Sequence, residues 1–134
     1  MDVWEYFAQR EAECEAMSVD SRGLDFRAEE ASNDQVGIMI GHVHFDDQTY
    51  LDVFERVEVR RNNIHRLEYA YFLIMTGVEY WGYERDPTHD PPVHRHTLGH
   101  EERVEAQPIS FKRACELGWR EVTLRGGGNV SETA

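Results

Sequence analysis

From residue 36 onward the chain alternates apolar and polar positions with period two over four consecutive segments, 36–45, 49–60, 64–75 and 78–85. In the first, Val36, Ile38, Ile40, His42 and His44 share a face. In the second, Leu51, Val53, Val57 and Val59 oppose Tyr50, Asp52, Phe54 and Arg56. In the third, Leu67, Tyr69, Tyr71 and Leu73 line up, within a run rich in aromatic and β-branched residues. Period two is that of a strand, because successive side chains point to opposite sides of a pleated backbone. Short polar breaks separate the segments: Asp46-Asp47-Gln48, Arg61-Asn62-Asn63 and Thr76-Gly77. Asp and Asn bond their own backbone in turns, and Asn tolerates positive φ. Strands joined by such tight turns predict an antiparallel meander.

The flanks change period. Residues 2–17 predict a helix, with Asp2 and Glu5 in a loose capping-box spacing and Val3, Phe7, Cys14 and Met17 near one stripe. Its other face carries Glu5, Glu11, Glu13 and Glu15. Residues 18–35 are polar, and Leu24, Phe26 and Ala28 read either as a first strand or as an extended linker. Residues 93–97 can re-enter the sheet as a fifth strand. Residues 110–117 predict a short helix, with Ser110 as N-cap and Gly118 as its stop. Trp119, Val122 and Leu124 would pack back on the sheet, and Gly126-Gly127-Gly128 opens a flexible tail. The expected fold is α+β: an antiparallel meander of four to five strands with an N-terminal and a short C-terminal helix. It forms one domain over 1–125, with 126–134 as a tail.

Composition narrows the function classes. The 134 residues suffice for one domain with a real core, and 40% hydrophobic with 30% charged residues is a folding composition. No apolar run approaches the roughly 20 residues of a membrane span. The N-terminus lacks the basic and apolar regions of a signal peptide, so a cytoplasmic location is expected. The 26 acidic residues outweigh the 14 basic ones, giving a net charge of −12, and Lys112 is the single lysine. An acidic, lysine-poor chain suits concentrated salt, a halophilic setting, where screening confines self-repulsion to a few ångströms. The competing reading is a basic partner. Neither fits a generic DNA binder, which needs a basic footprint. Cys14 and Cys115, 101 positions apart and in no Cys-x-x-Cys pair, read as small core residues.

Candidate chemistry gathers at 86–100, which holds three of the four prolines and four of the seven histidines: His89, His94, His96 and His100. Proline fixes φ and blocks a helix, so the segment begins as an ordered loop. In a strand His94 and His96 share a face, with Arg95 on the other. Paired imidazoles can serve as a satisfied polar stripe, transfer protons or contact phosphate, or bind a metal. The metal reading rests on histidine density, since no spaced ligand signature is present. His42 and His44 form a second pair that would join His94 and His96 if the sheet brought them together. Trp81, Tyr83 and Arg85 share the parity of one strand face. Such aromatics are core residues or a stacking platform for unpaired bases. Asp46-Asp47 and Asp52-Glu55 read as solvated.

The stretch 36–117 resembles the TumE-like toxin family of prokaryotic toxin–antitoxin modules. The resemblance is carried by Thr49-Tyr50-Leu51-Asp52-Val53-Phe54-Glu55, Glu68-Tyr69-Ala70-Tyr71, Tyr80-Trp81-Gly82-Tyr83-Glu84-Arg85-Asp86, His89 and Val93-His94-Arg95-His96. The family's last motif is a His-His-basic-His run. Val93 stands at its first histidine, which places a mechanism needing all three in question. The resemblance implies a small α+β toxin acting on RNA and neutralised by an antitoxin protein; no membrane partner is expected of a chain without a long apolar run, and a homodimer is a candidate assembly. A metal-independent ribonuclease needs a base, an acid and a cation for the phosphate. His94 and His96, with His89, are the catalytic candidates. Arg85, Tyr83, Trp81 and Arg95 are the substrate-binding ones, although Arg95 would point away in a regular strand. No cofactor is expected. Two alternatives stay open: a non-catalytic interaction module, and a metal-binding protein using His42, His44, His94 and His96.

Overall fold

The computed structural model describes residues 1–31 and 34–133; the side chains at 30, 31, 34, 100, 101 and 126–133 lie outside that description. The order is α1 (Val3–Ala16), β1 (Asp20–Ala31), β2 (Asp34–Asp46), β3 (Thr49–Arg60), β4 (Asn63–Met75), β5 (Val78–Arg85), β6 (Val93–Thr97), β7 (His100–Glu105) and α2 (Phe111–Thr133). The strands form one antiparallel sheet in chain order, β1 to β7. The α+β meander is as the pattern predicts, but it has seven strands among the described residues rather than four to five. The ambiguous segment containing Leu24, Phe26 and Ala28 is a full strand, β1, and 93–97 is β6. The unforeseen strand is β7, whose Glu102-Arg103-Val104-Glu105 lacks an apolar face because it sits at an exposed edge. Edge strands carry charge for that reason, since charge discourages further pairing.

The turns follow their chemistry. Arg61 and Asn62 take φ of 51° and 63°, and Thr76 and Gly77 take 52° and 79°. Paired positive φ values match the right-handed strand twist of a two-residue hairpin. Asp46 Oδ1 accepts from Gln48 N at 2.9 Å, closing the first turn. Asp2 caps α1, its Oδ1 accepting from Glu5 N at 2.8 Å.

Both helices cover one face of the sheet. Val3 and Phe7 approach Gly37, Phe111 meets Tyr71, and the ring of Phe45 reaches Gly118. These sheet residues, with Met39, Val43, Leu51, Val53, Val57, Tyr69 and Leu73, have one parity, and all but the half-buried Phe45 are buried. Each such side chain contributes about 1.5–3 kcal/mol by leaving water. Leu67, expected on this face, is only half-buried, because a bulge between Arg56 and Val57 leaves it outside the pairing. Glu55 is also on this face and fully buried, contrary to its reading as solvated.

The C-terminal helix corrects a second expectation. Ser110 is its N-cap, with Oγ accepting from Arg113 N at 3.0 Å. Gly118 does not end it. A Cβ there would lie 2.6 Å from Phe45 Cζ, so glycine lets the helix axis approach the sheet. The helix backbone runs to Thr133, through the segment expected as a tail. Trp119 faces Phe45 at 6.3 Å between ring centres, but it and Leu124, both expected to pack back on the sheet, are exposed. Cys14 and Cys115 are buried free thiols that face each other where the helices meet.

Candidate functional site

The opposite face of the sheet bears the histidines. Strand parity and register set its rows: His42, Asp52, Phe72, Gly82 and His96 in one, and Ile40, Phe54, Ala70, Glu84 and His94 in the next. Between β5 and β6 the proline-rich loop turns over this face. It is closed by Asp86 N donating to Pro92 O at 2.8 Å and His89 N to Asp86 O at 3.0 Å. Asp86 Oδ1 accepts from Thr88 N at 2.9 Å and Thr88 Oγ1 at 2.7 Å. These bonds, helped by the charges of His89 and Arg103, hold the Asp86 carboxyl below its usual range. The turn sets the His89 ring 5.4 Å from that of His94.

Glu84 is the centre of the cluster. Its Oε2 is 3.7 Å from His89 Nδ1, and its Oε1 is 3.9 Å from His94 Nε2 and 3.7 Å from His96 Nε2. The other nitrogen of each ring faces an oxygen. His94 Nδ1 lies 2.9 Å from Pro91 O. A carbonyl only accepts, so Nδ1 carries a proton, and Nε2 faces Glu84. His89 Nε2 lies 3.3 Å from Asp86 Oδ2, and His96 Nδ1 lies 3.3 Å from Glu79 Oε2. His94 is 1% exposed, while His89 and His96 retain 28% and 16% of their side-chain surface. Gly82 makes room for this: a Cβ there would lie 2.4 Å from the Phe72 ring and 2.8 Å from His96 Cε1. Phe72 supports the His96 ring at 5.5 Å.

The structure thus brings together His89, His94 and His96, and separates them from the remaining candidates. Trp81, Tyr83, Arg85 and Arg95 have the parity of the other face, where Tyr83 pairs with Arg95 and Arg85 with Val93. Trp81 and Tyr83 pack edge-on at 5.3 Å against the core rather than forming an open platform. Arg85 follows Glu84 directly, so the pleat turns it away from His94. His42 and His44 share the histidine face but stay on β2, with β3, β4 and β5 between them and β6. There they stack on Tyr50, at 4.2 and 5.3 Å between ring centres, and His42 Nε2 lies 3.7 Å from Asp52 Oδ1. The four-histidine metal set of His42, His44, His94 and His96 therefore does not assemble. The side chain of His100 lies outside the described residues.

Sequence reasoning missed Glu84, Glu79, Asp86 and Arg103. The usable signal was register: with a loop over 86–92, Glu84 must sit opposite His94, on the His94 and His96 face.

A second polar centre lies under the helices. The Tyr6 and Tyr71 hydroxyls donate to the two oxygens of Glu55. Arg66 Nη1 donates to Tyr71 Oη at 2.9 Å and Ile109 O at 2.7 Å, with its guanidinium 4.2 Å above the Tyr69 ring. Burial pushes the Glu55 carboxyl up against the lowering influence of both tyrosines, Arg66 and Arg10, and it pushes both tyrosine hydroxyls up. This network ties α1, β3, β4 and the entry to α2 together, on the face away from the histidines.

A helix-backed meander whose bare face carries an imidazole–carboxylate centre is the class of protein that fold and site define. The chain belongs to the toxin TumE family, whose model matches residues 10–125, from inside α1 well into α2. The match extends beyond the 36–117 resemblance to include β1. No match to the chain is found among curated proteins or among solved structures. No helix among the described residues is long and apolar enough to cross a membrane.

Proposed function

We propose that this protein is the toxin of a toxin–antitoxin module, that it acts in the cytoplasm, and that its chemistry is cleavage of RNA at the Glu84–His89–His94–His96 cluster. Membership of the toxin TumE family supports the toxin role and an antitoxin partner. One observation supports the site: three imidazoles each have one ring nitrogen against an oxygen and the other turned to a single carboxylate. That arrangement suits proton transfer, because the flanking oxygens set which nitrogen carries the proton. His96 and His89, the partly exposed members, are the groups that exchange protons with substrate, and buried His94 positions them. Arg103, two residues before the Glu105 that pairs with His94 and so of the same parity, replaces Arg85 as the phosphate candidate.

The test is induced expression of wild type and His96→Ala, each with and without the neighbouring antitoxin gene, scored for growth arrest, RNA integrity and melting temperature. His96→Ala is expected to abolish arrest and cleavage while melting within about 1 kcal/mol of wild type, since a part-exposed side chain makes few packing contacts. Full toxicity in the variant would remove the catalytic reading. It would favour the non-catalytic interaction module, which the exposed Ile40 and the His42–Tyr50 stack on the same face support.

A further inference from the structure

We infer that Glu84, His89 and His94 form a binding site for a divalent transition-metal ion of the Zn2+ type. The site is the one in the proposed function, but binding of the ion does not depend on RNA being the substrate. One ligand atom from each residue, a ring nitrogen of His89, a ring nitrogen of His94 and a Glu84 oxygen, lies within 4.8 Å of the others. A tetrahedral ion with bonds of about 2.0–2.1 Å needs its ligands about 3.3 Å apart. The Glu84 oxygens already stand 3.7 and 3.9 Å from the two imidazoles, so small side-chain rotations complete the set. Two imidazoles and one carboxylate, with the fourth position open, is the donor set of catalytic zinc.

Three further observations favour an ion over simple pairing. First, His89 Nδ1 is buried and has no hydrogen-bond partner, although it faces the carboxylate. A buried ring nitrogen left unmatched is costly, and an ion supplies the match. Second, each imidazole carries the outer support that metal-binding histidines have: the Pro91 carbonyl on His94 Nδ1 and the Asp86 carboxylate on His89 Nε2. Third, His94 is sealed from water by the loop that carries His89, so the ion's ligands sit on a paired hairpin with a tied turn rather than on loose surface. With the ion bound, His89 serves as a ligand and His96 alone remains free for proton transfer. The ion supplies the positive charge that Arg85 and Arg95 cannot bring to this face.

Zn2+ titrated calorimetrically into chelator-treated full-length protein should bind in a 1:1 ratio, and Co2+ in its place should give the visible bands of a low-coordinate site. His89→Ala should weaken Zn2+ binding at least 100-fold. Asp86→Ala, which leaves all three ligands but removes the support of His89 and the side-chain bonds to Thr88, should weaken it about 10–100-fold. His65→Ala, an exposed histidine elsewhere on β4, should leave it unchanged. Circular dichroism of each variant establishes that it is folded, and Glu84→Gln serves if His89→Ala is not. Binding that is absent, or that survives both His89→Ala and Glu84→Gln, overturns the inference. So does binding lost on replacing His42 and His44 instead. Metal bound without RNA cleavage keeps this inference and refutes the ribonuclease reading; cleavage undiminished in protein that takes up no Zn2+ does the reverse.

Discussion

Replacing Glu55 tests the account of the covered face most directly. Glu55→Ala removes a fully buried carboxylate on which the Tyr6 and Tyr71 hydroxyls converge. Each hydroxyl stranded without an acceptor costs about 1–3 kcal/mol. The emptied volume adds to this, and relief of the desolvated charge subtracts. The expected loss is about 3–5 kcal/mol, or about 10–15 °C in Tm for a domain of this size. Glu55→Gln keeps the shape and drops the charge. Its amide oxygen accepts from one tyrosine and its amide N–H donates to the other, so it should lose far less. The pH dependence has a definite sign. Burial holds the folded-state carboxyl above its ordinary value, so the wild type binds that proton more tightly folded than unfolded. The resulting stabilisation is complete below the unfolded pKa of about 4.3 and is lost as pH rises through the higher folded value. Glutamine has no such dependence. Urea unfolding in high KCl, compared across about pH 4 to 8, should show wild type losing ground to Glu55→Gln as pH rises. A Glu55→Ala loss under about 1 kcal/mol, or a wild-type-to-Gln difference constant with pH, would refute the reasoning.

Two further outcomes follow from packing and charge. Gly118→Ala sets a helix-propensity gain of about 1 kcal/mol against contact with Phe45 2.6 Å from the new Cβ. It should destabilise by about 1 kcal/mol net and become stabilising in a Phe45→Leu background, read from denaturant midpoints. With a net charge of −12, Tm should rise between about 0.1 M and several molar KCl, and a flat or falling series would point to a basic partner as the reason for the acidity.

The central hairpins were legible because turn chemistry and alternation agree there: Arg61-Asn62 and Thr76-Gly77 lie between strands whose buried faces are apolar. Elsewhere tertiary context overrode local pattern. The stop at Gly118 was misread because glycine there answers the bulk of Phe45, across the chain, and not a local helix end. Glu55 looked solvated because its partners come from residues 6 and 71. The histidine face was legible as His94 and His96. Its carboxylate was not, because the side chains flanking Glu84 in sequence, Tyr83 and Arg85, lie across the sheet, and only the β5–β6 register joins it to His94.

The strict chain-order pairing of the sheet has a consequence for assembly. Every strand bonds only to its immediate predecessor and successor, so the sheet can zip up hairpin by hairpin through short closures of low entropic cost. A much longer closure brings the two helices together, where Cys14 of α1 meets Cys115 of α2. A chain cut short before α2 therefore retains every strand pairing but has not yet covered the face where Tyr71, Leu73 and Phe45 await the helix. The helix that follows the seventh strand is the one that turns a zipped ribbon into a closed molecule.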